Sequence, residues 1–171
     1  MHSTPGGRDS VDIDRHLELG RLAYSLGFDS LFVFEHHFTD YILSPSPLVT
    51  LAYFAGALPG AILGTSVILL SAYDDRRLAE DLCVLDNMAR GNLVIGVGSG
   101  RSDSELLRLG TTRERASEEF PERVGRLYDI LAEAGQDGHI RPRPAYSPHK
   151  RVFTASGRRI SRPDGGYYPV S

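Results

Sequence analysis

"DDRRLAEDLCVLDNMARGNLVIGVGSG", Asp74 to Gly100, decides the fold. Its first half sets Leu78, Leu82, Leu85 and Met88 on one helical stripe, with Asp74 and Asp75 at the start and Gly91 just past the end. Carboxylates in a first turn oppose the positive end of a helix, and a glycine after the last turn is a common stop. Its second half, "NLVIGVGSG", Asn92 to Gly100, stays apolar up to a glycine-rich end. A strand apolar on both faces is covered on both faces, which is how strands of a helix-backed parallel sheet read.

The same alternation extends in both directions. Upstream, "AILGTSVILL", Ala61 to Leu70, reads as a strand behind the helix "PLVTLAYFAGAL", with Ser46 as cap, Pro47 at the first helical position and Pro59-Gly60 as stop. Before it, "FDSLFVF", Phe28 to Phe34, reads as a buried strand. A helix capped by Asp12 and running to about Leu26 precedes that strand, with Ile13, Leu17, Leu19, Leu22, Ala23 and Leu26 recurring near helical spacing. Downstream, a helix is expected between Ser117 and Ala134, with Pro121 in its first turns or kinking it, and "RVFTAS", Arg151 to Ser156, is a shorter strand. The fold class is therefore α/β, with parallel strands.

At 171 residues and 41% hydrophobic, the chain encloses one core and reads as one domain over residues 11–157. Residues 1–10 are expected to be disordered. Residues 158–171, rich in proline, glycine and arginine without periodicity, are expected to form an irregular tail.

Composition excludes several functions. A net charge of -3 with scattered bases gives no footprint for nucleic acid or an anionic membrane. The single cysteine, Cys83, permits neither an internal disulfide nor a multi-cysteine metal site, and it sits in a helical pattern where it is expected to pack. The longest apolar stretch, Ala61 to Ala72, is too short to span a bilayer, and the N-terminus lacks a signal-peptide core. The expectation is a soluble cytoplasmic protein.

In parallel β/α folds chemistry gathers where strands end, and the unusual residues of this chain lie there. "VFEHHFTDY", Val33 to Tyr41, places two of the six histidines side by side behind Glu35. Neighbours on a strand point to opposite faces, so His36 and His37 do not share a pocket, and no metal site is expected. One imidazole facing the strand-end mouth suits general acid–base work; alternatively both hydrogen-bond loop backbone. "GVGSGRS", Gly96 to Ser102, lacks the third glycine of the dinucleotide fingerprint, since Arg101 stands sixth, and Gly98 occupies the serine position of a nucleophile elbow. What remains is a set of exposed amides beside Arg101 that suit a phosphate, or glycines that only permit a tight turn. The small residues of "GTSV", Gly64 to Val67, leave room for a flat ligand or serve the taper of a core. Glu80, Asp81 and Asp86 read as a solvated face or helix-end partners.

Taken in order, "GFDSLFVFEHHF", "SPLVTLAYFAG", "ILGTSVILL", "LAEDLCVLDNMARGNLVIGVGSG" and "LLRLGTT" resemble the bacterial-luciferase-like flavin-dependent monooxygenases. The resemblance runs from about residue 11 to about residue 135, with a fainter echo in "IRPRPAYSPHKRVFTASG". It implies a partial TIM barrel, roughly strands two to five, that binds reduced flavin mononucleotide, or alternatively a deazaflavin, at the C-terminal mouth and oxidises a small organic substrate with O2. His36 matches the family's active-site histidine, assigned to proton transfer beside the flavin, and His37 is its neighbour in the motif. Ser66 and Val67 fall where family members often have a non-proline cis peptide under the flavin ring. Gly98 stands where luciferase has a reactive cysteine. Ser99 stands where luciferase has a phosphate-binding arginine, so Arg101 would substitute, with Gly100 in the same loop. Asp74-Asp75 replaces a histidine-proline pair and makes the mouth less favourable to an anion. A complete barrel needs about 250 residues, so the open sheet is expected to be covered by a homo- or hetero-oligomeric partner, by the irregular tail, or not at all. The alternatives are a non-catalytic shortened flavoprotein or interaction subunit, and a truncated inactive product.

Overall fold

The computed structural model describes residues 4, 6–40, 42–134, 136, 139–156 and 160. Helix α1 (Asp9–Ser25) leads into strand β1 (Ser30–Val33), α2 (Pro47–Ala57) into β2 (Ile62–Leu69), and α3 (Asp75–Met88) into β3 (Leu93–Gly98). Two helices, α4 (Asp103–Arg108) and α5 (Arg113–Ala134), then precede β4 (Val152–Thr154). Among the described residues the sheet runs β1-β2-β3-β4 with every pair parallel. The fold is α/β, a parallel sheet backed by helices.

The core lies between one face of the sheet and helices α2, α3 and α5. Leu51, Leu78, Leu82, Leu127 and Leu131 from the helices meet Leu63, Leu93 and Ile95 from the strands, each at most 1% exposed. The other face is open: Phe32 is 51% exposed and Ile62 36%.

β2 and β3 slip register between Thr65 and Ile68, so β2 carries one extra residue there, and the Ser66-Val67 peptide is cis. The Thr65 hydroxyl fills the gap, donating to the Gly96 carbonyl at 2.8 Å and accepting from the Gly96 N–H at 3.0 Å. A Cβ at residue 96 would stand 2.3 Å from the Thr65 carbonyl oxygen, which is why glycine occupies the position.

Several expectations are corrected. Helix α1 begins at Asp9 behind Arg8, inside the segment expected to be disordered, and Asp12 does not cap it. Instead the Asp12 carboxylate accepts from the Thr4 N–H and hydroxyl at 2.6 and 2.7 Å, tying down the chain that precedes the helix. The apolar repeat of α1 is not a core stripe: Leu19, Leu22 and Leu26 are exposed, while Leu17 and Tyr24 pack on the core. β1 is shorter than Phe28 to Phe34 and half-exposed, because it lies at a sheet edge. Ser46 sits at the cap position of α2 without a side-chain cap bond. Met88 is 48% exposed at the end of its stripe, and α5 starts four residues before Ser117 with Pro121 in its interior. Asp86 is not solvated: it is fully buried, 2.6 Å from the Arg151 guanidinium, and it accepts from the Tyr146 N–H at 3.0 Å. Of the expected tail, Ile160 is described and is buried with the core; residues 158–159 and 161–171 lie outside the described residues.

Candidate functional site

All four strands deliver residues to one cavity of about 210 Å³ at their C-terminal ends. β1 supplies Phe34, Glu35 and His36, β2 supplies Ser66, Val67 and Leu69, β3 runs out through Gly98 to Ser102, and β4 supplies Ala155. Glu105, from α4, forms the remaining wall. Of the residues singled out in the sequence, His36, Ser66, Val67, Gly98, Ser99, Gly100 and Arg101 line this cavity together; His37 does not.

The loop after β1 is pinned before it reaches the histidines. The His36 N–H donates to the Ser44 carbonyl at 3.0 Å, and the buried Ser44 hydroxyl returns to the Phe34 carbonyl at 2.5 Å. From there the two imidazoles diverge. His36 Nδ1 lies 3.0 Å from Glu105 Oε1, while His37 Nε2 lies 2.6 Å from Glu35 Oε1 on the buried side. The second Glu105 oxygen accepts the His37 N–H at 3.0 Å, so one carboxylate fixes both the loop and the His36 ring.

Burial alone would raise the Glu105 carboxyl, but the bonds from the His36 ring and the His37 amide hold it below its ordinary value. An ionised carboxylate only accepts, so a proton sits on His36 Nδ1, and whenever the ring is neutral Nε2 keeps its lone pair. An imidazole held in this way can accept a proton.

Glu35 is the buried counterpart. It is 3% exposed, and its other oxygen accepts from the Leu69 N–H at 3.1 Å and the Tyr73 hydroxyl at 3.2 Å. Desolvation pushes its carboxyl up, against the lowering effect of His37 and the Leu69 amide. Burial, and then the adjacent Glu35, pushes the Tyr73 phenol far up as well. Glu35 thus ties the end of β2 to the histidine loop.

The floor is made by Val67 against Gly98, where a Cβ would stand 2.7 Å from a Val67 methyl. Arg101 is exposed at the rim. Asp74 and Asp75 do not charge the mouth as expected. Asp74 caps α3 through the Arg76 and Arg77 amides, Asp75 pairs with Arg123 and Arg126 of α5, and neither lines the cavity. Cys83 is packed in the core, where burial pushes its thiol up to about 11. Among the described residues no group of three or more His, Cys, Asp or Glu is arranged to hold a metal ion, and no helix is long and apolar enough to cross a membrane.

Sequence reasoning missed Glu105 and Tyr73. For Glu105 a signal was present: Ser102 and Glu105 have capping-box spacing, and the Ser102 hydroxyl accepts the Glu105 N–H at 3.4 Å. Tyr73 has no local signal, since its bond to Glu35 spans two strands.

Similarity to known proteins follows the same geometry. The alkanal monooxygenase alpha chain of the Kryptophanaron alfredi symbiont is 31% identical over 128 residues, 75% of this chain and 35% of that protein. The crystal structure of the monooxygenase RslO1 from Streptomyces bottropensis superimposes with a TM-score of 0.81 at 26% identity, covering 91% of this chain and 51% of that one. The oxygenating constituent of 3,6-diketocamphane monooxygenase from Pseudomonas putida, solved in complex with FMN, shares the fold with a TM-score of 0.76 at 16% identity, over 90% of this chain and 48% of its own. The chain therefore spans about half the length of those structures and about a third of that relative. Residues 1–165 match the family described as luciferase-like monooxygenase, and the chain belongs to that family.

Proposed function

We propose that this chain carries the strand-end half of a reduced-flavin site in a flavin-dependent monooxygenase, with His36 as the proton acceptor and donor beside the flavin. The observation that supports this most is the His36–Glu105 pair in the wall of a cavity floored by Ser66, Val67 and Gly98. The residues fit the group. Position 98 has no side chain that would crowd Val67, and the rim carries Arg101 rather than a free carboxylate, since Glu105 is engaged by His36 and Asp103 is paired with Arg113 at 2.8 Å.

Ser66, Val67 and Gly98 would support the ring, and Ser99, Gly100 and Arg101 would meet the phosphate. Bound reduced flavin would supply the electrons and activate O2, chemistry that no protein side chain offers. His36 Nε2 would move protons at that ring, Glu105 would hold the imidazole in one tautomer, and His37 with Glu35 would brace the loop. The substrate is a small organic molecule. A second reading, a flavin-binding subunit without turnover of its own, is supported by the cavity's size: about 210 Å³ is below the roughly 300–1,000 Å³ of a complete small-molecule pocket.

Titration with reduced and oxidised flavin mononucleotide, and with a deazaflavin in parallel, tests both. Quenching of flavin fluorescence with a rise in Tm is expected for flavin mononucleotide. Absence of either at high micromolar ligand rejects the flavin site, a response to the deazaflavin alone reassigns the cofactor, and binding without substrate oxidation selects the second reading.

A further inference from the structure

We infer that Arg108 is a positioning residue for His36: stacked on Phe38, it makes the second of two ties that hold the histidine loop on helix α4. This deepens the reading above and rests on His36 as the proton-moving group of the cavity.

Glu105 and Arg108 stand three positions apart on α4 and so share one face of that helix. Opposite charges at that spacing commonly pair with each other. Here each turns to the loop instead. Glu105 takes the His36 ring and the His37 N–H, and the Arg108 guanidinium lies 5.7 Å from the centre of the Phe38 ring, within reach of a cation–π contact. Among the described residues Arg108 is in no ion pair.

Phe38 is held where its own preferences do not put it. Its φ is 55°, a left-handed conformation that crowds a bulky residue, and at 57% exposure core burial does not offset that cost. The backbone is fixed on both sides: the His37 N–H bonds Glu105, and the Thr39 hydroxyl bonds the Ile42 carbonyl at 3.1 Å and amide at 3.3 Å. The ring meets Arg108 and also the His37 imidazole, whose centroid is 5.7 Å from its own. Strain of this kind persists where the surroundings over-determine it, as they do at working sites.

Arg108 is not needed to finish its own helix. Gly110, at φ 82°, closes α4: its N–H donates to the Leu107 carbonyl at 3.1 Å, and the Thr111 N–H donates to the Leu106 carbonyl at 3.0 Å. The helix is anchored by Leu106, which is fully buried and so near Gly100 that a Cβ there would stand 2.9 Å from it. A loop tied at two points to an anchored helix cannot swing His36 without breaking both ties. The stack is lost whenever the loop leaves α4, so deleting it multiplies the open population by what the stack was worth.

The test is hydrogen exchange on the flavin-free 171-residue chain, read at the His37 amide, whose protection reports how often the loop leaves Glu105. Arg108→Ala should speed that exchange about two- to fivefold, the worth of one exposed cation–π contact. Phe38→Leu keeps a side chain in the same backbone conformation but removes the ring face. It should act alike, and the double variant should exchange no faster than either single one. The His36 amide, bonded to the Ser44 carbonyl and not to α4, should not change. In nitrogen-15 spectra the minor Nε2-protonated signal of neutral His36 should grow by the same factor. Arg108→Lys keeps the helix-end charge without the planar stack and should restore only part of the protection. Unchanged His37 exchange in Arg108→Ala overturns the inference, as does additive acceleration in the double variant or equal acceleration at His36. Full rescue by lysine with no effect of Phe38→Leu assigns Arg108 to the helix-end charge and overturns it too. Because flavin is absent, failure of the flavin titration leaves these readings intact, and failure here leaves the flavin site standing.

Discussion

His36 Nδ1 lies 3.0 Å from Glu105 Oε1, across 69 residues of sequence, and the Glu105 carboxyl is held ionised by that contact together with the His37 amide. The pair makes the tautomer of His36 a structural property. In nitrogen-15 spectra of the neutral ring, the Nδ1-protonated form should dominate the wild type. Glu105→Ala should yield a tautomer mixture, and Glu105→Asp should restore only part of the order. A mixture already present in the wild type would dissociate the two residues.

If the cavity turns over reduced flavin, His36→Ala should lower oxygenation by about 10²-fold, the scale of a lost general acid–base group, while leaving flavin affinity nearly intact. His37→Ala should act differently, because His37 faces Glu35 rather than the cavity. It should cost stability on the order of 1–3 kcal/mol by unpairing a buried carboxyl, with a smaller effect on turnover. Equal kinetic effects of the two variants would undo the assignment.

The two glutamates predict opposite pH dependences. Glu105 is held below its ordinary 4.5, so its folded form binds the proton less tightly than the unfolded chain. Its contribution is present above 4.5 and is lost as pH falls through the folded value. Glu35 is raised above 4.5, so the stability it gives is full below that pH and is lost as pH rises through its folded value. Urea unfolding from pH 2 to 8 checks the signs. The free-energy difference between wild type and Glu35→Gln should fall with rising pH, and that between wild type and Glu105→Gln should rise at the acid end and then stay flat.

Gly96→Ala sets a methyl against the Thr65 carbonyl, a backbone atom that cannot step aside, and should cost about 3 kcal/mol by overpacking. Gly98→Ala meets only a Val67 methyl and should cost less, but it raises the cavity floor. Thermal unfolding and flavin titration of the pair separate the effects: the first variant loses stability, the second affinity.

Asp86→Ala leaves the Arg151 guanidinium without its carboxylate in a largely buried setting and frees the Tyr146 amide. The expected loss is on the order of 3 kcal/mol. Hydrogen exchange should locate the loosening at β4 and the segment before it. Protection lost uniformly through β2 and β3 would show that the ion pair supports the whole sheet instead.

By itself, the sequence determined the alternation of helix and strand, the parallel sheet, and the gathering of His36, Gly98 and Arg101 at the strand ends. Those features rest on local signals: continuous apolar runs, proline and glycine stops, and the Asp74 cap, whose bonds to residues two and three positions on are fixed by helix geometry. The helix α4 was legible in principle from Ser102 and Glu105, whose spacing is also local.

Tertiary structure alone decided which residues act together. Glu105 and His36 meet because α4 follows β3 while His36 follows β1, two strands that flank β2, and no spacing along the chain encodes that distance. Asp86 reads as a surface carboxylate until Arg151 arrives from β4 to pair with it. The apolar repeat of α1 reads as a core stripe until the sheet shows that nothing in the described chain lies beyond β1. Periodicity reports which face of an element is apolar; what covers that face is set by long-range packing, whose free energy belongs to pairs of elements and not to either one.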